Sequence, residues 1–185
     1  TLEENYAIQL KLNKLTVTNR TQKFEITVVG NSGSMTYDGT PLTVKGFKNL
    51  TFTENGQTFT VEGLSAEKSI TNVTESGEVP ITGTAVVKDA EGIDVTAQFT
   101  VHTVPGKLTI FPRAVIMTSA TAEKAYDGTP LTHATVTASA YSAESGTGFV
   151  SGEGASYDVT GSQTLVGTSD NTFTYTLNEG TLAAN

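Results

Sequence analysis

A run of seven residues occurs twice without change. Tyr37-Asp38-Gly39-Thr40-Pro41-Leu42-Thr43 returns as Tyr126-Asp127-Gly128-Thr129-Pro130-Leu131-Thr132, so residues 37 and 126 stand 89 apart. An identity of this length does not arise easily by chance, and self-similarity at such a period means an array of like modules. A second echo, Lys14-Leu15-Thr16-Val17 against Lys107-Leu108-Thr109-Ile110, runs at a spacing of 93 between residues 14 and 107. The repeat divides the chain into residues 1–20, the tail hairpin of a preceding repeat; residues 21–113, one complete repeat; and residues 114–185, a second repeat lacking its final hairpin. Modules of this size bury cores of their own, though modest ones.

The local pattern is that of short strands. Phe24, Ile26 and Val28 alternate with Glu25 and Thr27, which predicts a half-buried strand. Leu50, Phe52, Phe59 and Val61 flank Asn55-Gly56, a strong hairpin signal. Ile70 and Val73 are assigned to a further strand, and Ile81 to Val87 to the next, closed by the turn Asp89-Ala90-Glu91-Gly92. Phe99 and Val101, then Leu108 and Ile110, are read as a closing hairpin around Pro105-Gly106. In the second repeat Val115 and Met117 open a strand, Val136, Phe149, Tyr157 and Val159 follow, and Phe173, Tyr175 and Leu177 alternate with threonines. Residues 138–143 are read as a helical turn. Tyr6, Ile8, Leu10, Leu12, Leu15 and Val17 give the tail hairpin, turning near Asn13. About one residue in five is threonine, whose branched side chain suits a pleated surface. The expected fold is all-β, tandem Ig-like β-sandwich modules; the alternative is a β-grasp-like module with a short helix. Only Phe111-Pro112-Arg113 separates the repeats, so little hinge motion is expected.

Net charge is −8 and no Lys/Arg cluster occurs, which argues against nucleic acid and against anionic membrane surfaces. No run of 18 apolar residues is present, and residue 1 already lies inside a repeat, so the chain reads as a fragment.

The motif residues, together with Gly161-Ser162-Gln163-Thr164, Val166 to Phe173 and Gly106-Lys107-Leu108-Thr109-Ile110, resemble the YDG or MBG-type β repeats of bacterial cell-surface proteins. The first repeat departs from the pattern, because it lacks the Ser-Asp-Asn-Thr-Phe run of residues 169–173. The resemblance implies tandem stalk or spacer repeats of a Gram-positive adhesin-like protein, extracellular and attached to the cell wall or cell surface, with no catalytic residue to carry over. The alternative is an extracellular binding module recognising host glycan or protein.

Individual residues favour that structural role. His102 and His133 lie in no motif that would make either a general base. Asp38 and Asp127 suit turns, since Asp bonds locally and the following Gly takes the strained position. Asp89, Glu91 and Asp94 share one loop and would suit calcium in chemistry, but lack the spacing of a dedicated calcium loop. Lys23 or Lys107 with an Asn or Asp is a formal candidate pair for a covalent cross-link, and Asn19, Asn49 and Asn72 fit the glycosylation acceptor pattern. The aromatic residues fall at alternating strand positions, where core packing accounts for them. No catalytic residue, cofactor or metal is therefore assigned. The partners expected are neighbouring repeats and, through residues 1–18, a head-to-tail strand exchange with another copy of the chain.

Overall fold

The computed structural model describes residues 7–185, and the protein is almost entirely β. In the first repeat the strands are β1 (Phe24–Val29), β2 (Gly33–Thr36), β3 (Leu42–Lys45), β4 (Thr51–Glu54), β5 (Gln57–Ile70), β6 (Gly77–Val79), β7 (Ile81–Lys88), β8 (Phe99–Val104) and β9 (Gly106–Phe111). The second carries β10 (Met117–Ser119), β11 (Val136–Ala138), β12 (Ala155–Val159) and β13 (Phe173–Leu177). Among the described residues no α-helix occurs, only 3-10 turns at Val73–Glu75 and Thr96–Gln98, so the alternative with a short helix is not what forms.

The long strand β5 is the backbone of the first repeat. It turns out of β4 through Asn55 (φ 50°) and Gly56 (φ 77°), two positive values that match the right-handed twist of the flanking strands. Midway, its pairing with β7 shifts register between Glu62 and Leu64. There Gly63 and Gly83 face each other so closely that a Cβ on Gly83 would lie 2.1 Å from the Gly63 carbonyl oxygen. The bulge bends the ribbon and lets its two halves serve two cores. Phe59 and Val61 pack with Ile26, Val28, Val87 and Phe99, beneath the β1-β8 pair. Ala66 and Ile70 pack with Tyr37, Val79, Leu108 and Ile110, beneath the sheet ordered β2-β9-β6. Phe47 touches both clusters. The result is a sandwich-like stack in which β3, β4, β5 and β7 form one layer.

Several sequence expectations need correction. Residues 99–110 are not a hairpin: β8 pairs in parallel with β1, and β9 pairs in parallel with β2 and antiparallel with β6. At Pro105-Gly106 the chain steps from one sheet to the next, and Gly106 passes so close to Asn31 that no side chain fits between them. Val73 lies in a 3-10 turn rather than a strand, because the Glu75 carboxylate accepts from the amides of Thr71 (2.6 Å) and Asn72 (3.0 Å) and closes the chain on itself. The helical turn expected at 138–143 is absent: β11 ends at Ala138, and a bridge from Ser142 to Thr147 encloses a tight turn instead. Tail residues Asn5 and Tyr6 lie outside the described residues. Residues 7–18 form no strand and are exposed throughout. Their counterparts in the first repeat are held by β1, β2 and β6 and not by one another, so no local hairpin is available to them.

Candidate functional site

The seven-residue motif builds the same turn twice. Asp38 Oδ1 accepts from the Thr40 amide (2.8 Å) and hydroxyl (2.6 Å), and Asp127 Oδ1 accepts from the Thr129 amide (2.9 Å) and hydroxyl (2.8 Å). Gly39 and Gly128 follow at φ 81° and 79°. Lys124 Nζ also donates to Asp127 at 2.8 Å and, with the Thr129 bonds, holds that carboxyl well below the usual range. Both carboxylates are spent on closing a turn, as the sequence reading expects.

The two tyrosines part company. Tyr37 is 6% exposed and Tyr126 is 64% exposed. Tyr37 docks into the second repeat: its ring packs in one cluster with Val150, and its hydroxyl donates to the Glu153 carboxylate. Around it Arg113 is buried, and each of its three guanidinium nitrogens donates to a backbone carbonyl. Its Nη1 donates to the Tyr37 carbonyl (2.9 Å), its Nε to those of Gly148 (2.8 Å) and Thr147 (3.2 Å), and its Nη2 to those of Thr147 (3.0 Å) and Ser142. The guanidinium lies 4.2 Å from the Tyr141 ring centroid, a stacking geometry suited to its planar charge. One fork thus ties the first motif to the loop 142–148 of the second repeat. Asn185 closes the other side, donating to Asn72 Oδ1 (2.9 Å) and accepting from the Val73 amide (3.0 Å), while its carbonyl accepts from the Arg113 amide.

Sequence reasoning treats Arg113 only as part of a connector and does not single out Glu153 or Asn185. A signal existed in the second echo. Extended by three residues, it aligns Arg20 with Arg113, and Arg20 makes a reduced version of the same contacts at the front of the first repeat. Its amide donates to Gln98 Oε1 (3.0 Å), its guanidinium lies 3.7 Å from the Phe24 ring centroid, and Gln98 also donates to Asn19.

The remaining candidates are not brought together. His102 sits on β8 opposite Thr27, with Nε2 3.8 Å from Glu25, and His133 accepts from the Thr135 amide at 3.3 Å. Asp89 Oδ1 accepts from the amides of Glu91 (3.1 Å) and Ile93 (2.8 Å), and Asp94 from that of Thr96 (2.9 Å), so these oxygens shape the loop. Among the described residues no group of three or more His, Cys, Asp or Glu converges on a metal-sized site. Lys23 and Lys107 are both exposed, whereas a spontaneous side-chain cross-link needs a buried lysine.

Burial first, then the Glu153 carboxylate, raise the Tyr37 hydroxyl above its usual value near 10. The folded state holds this proton more tightly than the unfolded chain does. Its contribution is therefore fully present below about pH 10 and lost as pH rises through the raised value. Alkaline titration of tyrosinate absorbance is expected to show a late-titrating component that Tyr37→Phe lacks. That variant keeps the packed ring but leaves Glu153 without its donor, so a loss of about 1–2 kcal/mol is expected. Tyr126→Phe, which alters an exposed ring, is expected to unfold like the parent.

No family model, no curated protein and no solved structure matches the chain.

Proposed function

We propose that this chain is a stalk or spacer segment of a bacterial, Gram-positive cell-surface adhesin-like protein, built from tandem Ig-like repeats of the YDG or MBG type. Its place is extracellular, on the cell wall or cell surface, and its task is to hold an adhesive region at a distance, with no catalytic step. The observation that carries this reading is the joint. A buried arginine, a docked tyrosine and a bridging asparagine restrain the two repeats where a free linker would let them tumble. The side chains of Arg113, Tyr37 and Asn185 all bond across it, protein to protein. The repeated motif supports the same reading, because one turn geometry is suited to joining many repeats in series.

Small-angle scattering is the direct test. The chain is expected to give the profile of an elongated particle with a single orientation between repeats, and a compact or freely jointed profile would count against a stalk. A glycan array and pull-downs against host matrix proteins are expected to give no reproducible partner. Reproducible capture of one host ligand would favour the binding-module alternative.

A further inference from the structure

The two repeats differ in one slot. In the first, β9 runs between β2 and β6, with Leu108 and Ile110 pointing into the core at 0% and 2% exposure. Ser32 and Ser76 fix its ends by accepting from the amides of Lys107 and Ile110, both at 2.9 Å. In the second repeat the counterparts of β2 and β6 are the stretches around residues 122–125 and 169–171. Neither is a strand. They line the two sides of an open groove of about 1020 Å³, whose walls include Ala122, Glu123, Lys124, Asp170 and Asn171. Among the described residues no segment runs along this groove.

The segment with the right pattern is present elsewhere in the chain. Lys14-Leu15-Thr16-Val17 repeats Lys107-Leu108-Thr109-Ile110, and its two apolar side chains are fully in solvent, Leu15 at 102% and Val17 at 98%. It is unpaired, extended in pattern and basic, with Lys11, Lys14 and Arg20 close together, while the groove offers Glu123 and Asp170. We propose that residues 14–18 of one molecule enter the groove of the second repeat of another copy as the missing β9-like strand. Extended backbone whose N–H and C=O groups have no ladder partner can pair with an added strand. The register of the first repeat sets the expected one: Leu15 opposite Ala122, Thr16 opposite Glu123 and Val17 opposite Lys124. Asn13 stands where Gly106 makes its tight crossing, so the pairing begins at Lys14, beyond that crossing.

The same molecule cannot serve as donor. The tail is tied to the first repeat at Asn19 and Arg20 by Gln98, which immediately precedes β8. From that level the first repeat itself takes residues 99–111 to reach the joint. The stretch 7–18 is no longer than that path, and the groove lies beyond the joint in the second repeat. Each chain therefore offers one donor and one acceptor on different surfaces, an arrangement that gives open head-to-tail chains or closed rings.

Light scattering on fractions eluted at rising concentration tests this. The mass is expected to climb above the 19.4 kDa monomer in whole multiples, and Leu15→Asp with Val17→Asp is expected to hold it at 19.4 kDa. Because neither side chain touches the folded repeats, the double variant keeps its fold. The chain has no cysteine, so Thr16→Cys with Glu123→Cys reports the register. Under mild oxidation this pair is expected to give disulfide-linked multimers, whereas Thr16→Cys with Glu91→Cys, outside the groove, is not. A parent that stays at 19.4 kDa throughout, assembly that survives the double variant, or equal linkage of both cysteine pairs overturns the proposal.

Discussion

Replacing Arg113 by alanine is expected to lower stability by about 3–5 kcal/mol, the combined cost of several carbonyls losing a charged donor at about 1–3 kcal/mol each. The mechanism is loss of donors. One guanidinium serves the carbonyls of Tyr37, Ser142, Thr147 and Gly148, and alanine leaves these acceptors to whatever water can enter. An unsatisfied buried acceptor costs about 1–3 kcal/mol, so partial hydration still leaves a large effect. For a chain of this length the midpoint of thermal unfolding is expected to fall by roughly 6–20 °C. Arg113→Lys keeps the charge but has no planar fork to span the carbonyls, and is expected to recover less than half of the loss. Urea unfolding followed by circular dichroism is expected to turn one transition into two in Arg113→Ala, as the second repeat melts without its anchor. A variant within about 0.5 kcal/mol of the parent, the range of ordinary surface changes, would contradict this account of the joint.

Gly106→Ala is expected to be comparably severe for the first repeat, costing about 3 kcal/mol or more. A Cβ at this position would lie 1.8 Å from the Asn31 carbonyl oxygen and 2.6 Å from its carbon. These are backbone atoms, so no rotamer change relieves the clash, and β1 or β9 must leave its sheet. Leu108 and Ile110 would follow, and with them the cluster under Tyr37. Gly56→Ala is the control: its φ of 77° makes alanine unfavourable, but nothing lies within 4 Å of the added carbon. A cost of about 1 kcal/mol is expected there. Equal losses in the two variants would mean that the close crossing at Gly106 is not what holds the sheets together.

That crossing also shows what a sequence can and cannot reveal. Alternation made β1 and β13 visible, and in β1 the alternate residues Ile26 and Val28 meet apolar neighbours while Glu25 and Thr27 meet water. Asn55-Gly56 announced its hairpin, because few other pairs accept two positive φ values. Neither signal names a partner. Pro105-Gly106 between two apolar runs has the composition of a hairpin turn, and only the packing of Gly106 on Asn31 shows that it changes sheets. The joint was hidden for a different reason. Tyr37 and Tyr126 are indistinguishable in the motif, and their difference in burial depends on what lies next to each in space. Arg113 was visible as a residue and as the echo of Arg20, but its role depends on the carbonyls of loop 142–148 converging on it, and no local pattern encodes that.

The central claim is that the first motif and Arg113 hold the two repeats in one fixed relation. Spin labels on cysteines introduced at Gln57, exposed on β5, and Thr174, exposed on β13, measure that relation across the joint. The account predicts one narrow distance distribution in the parent and a broad one in Arg113→Ala. A distribution already broad or many-peaked in the parent would contradict it.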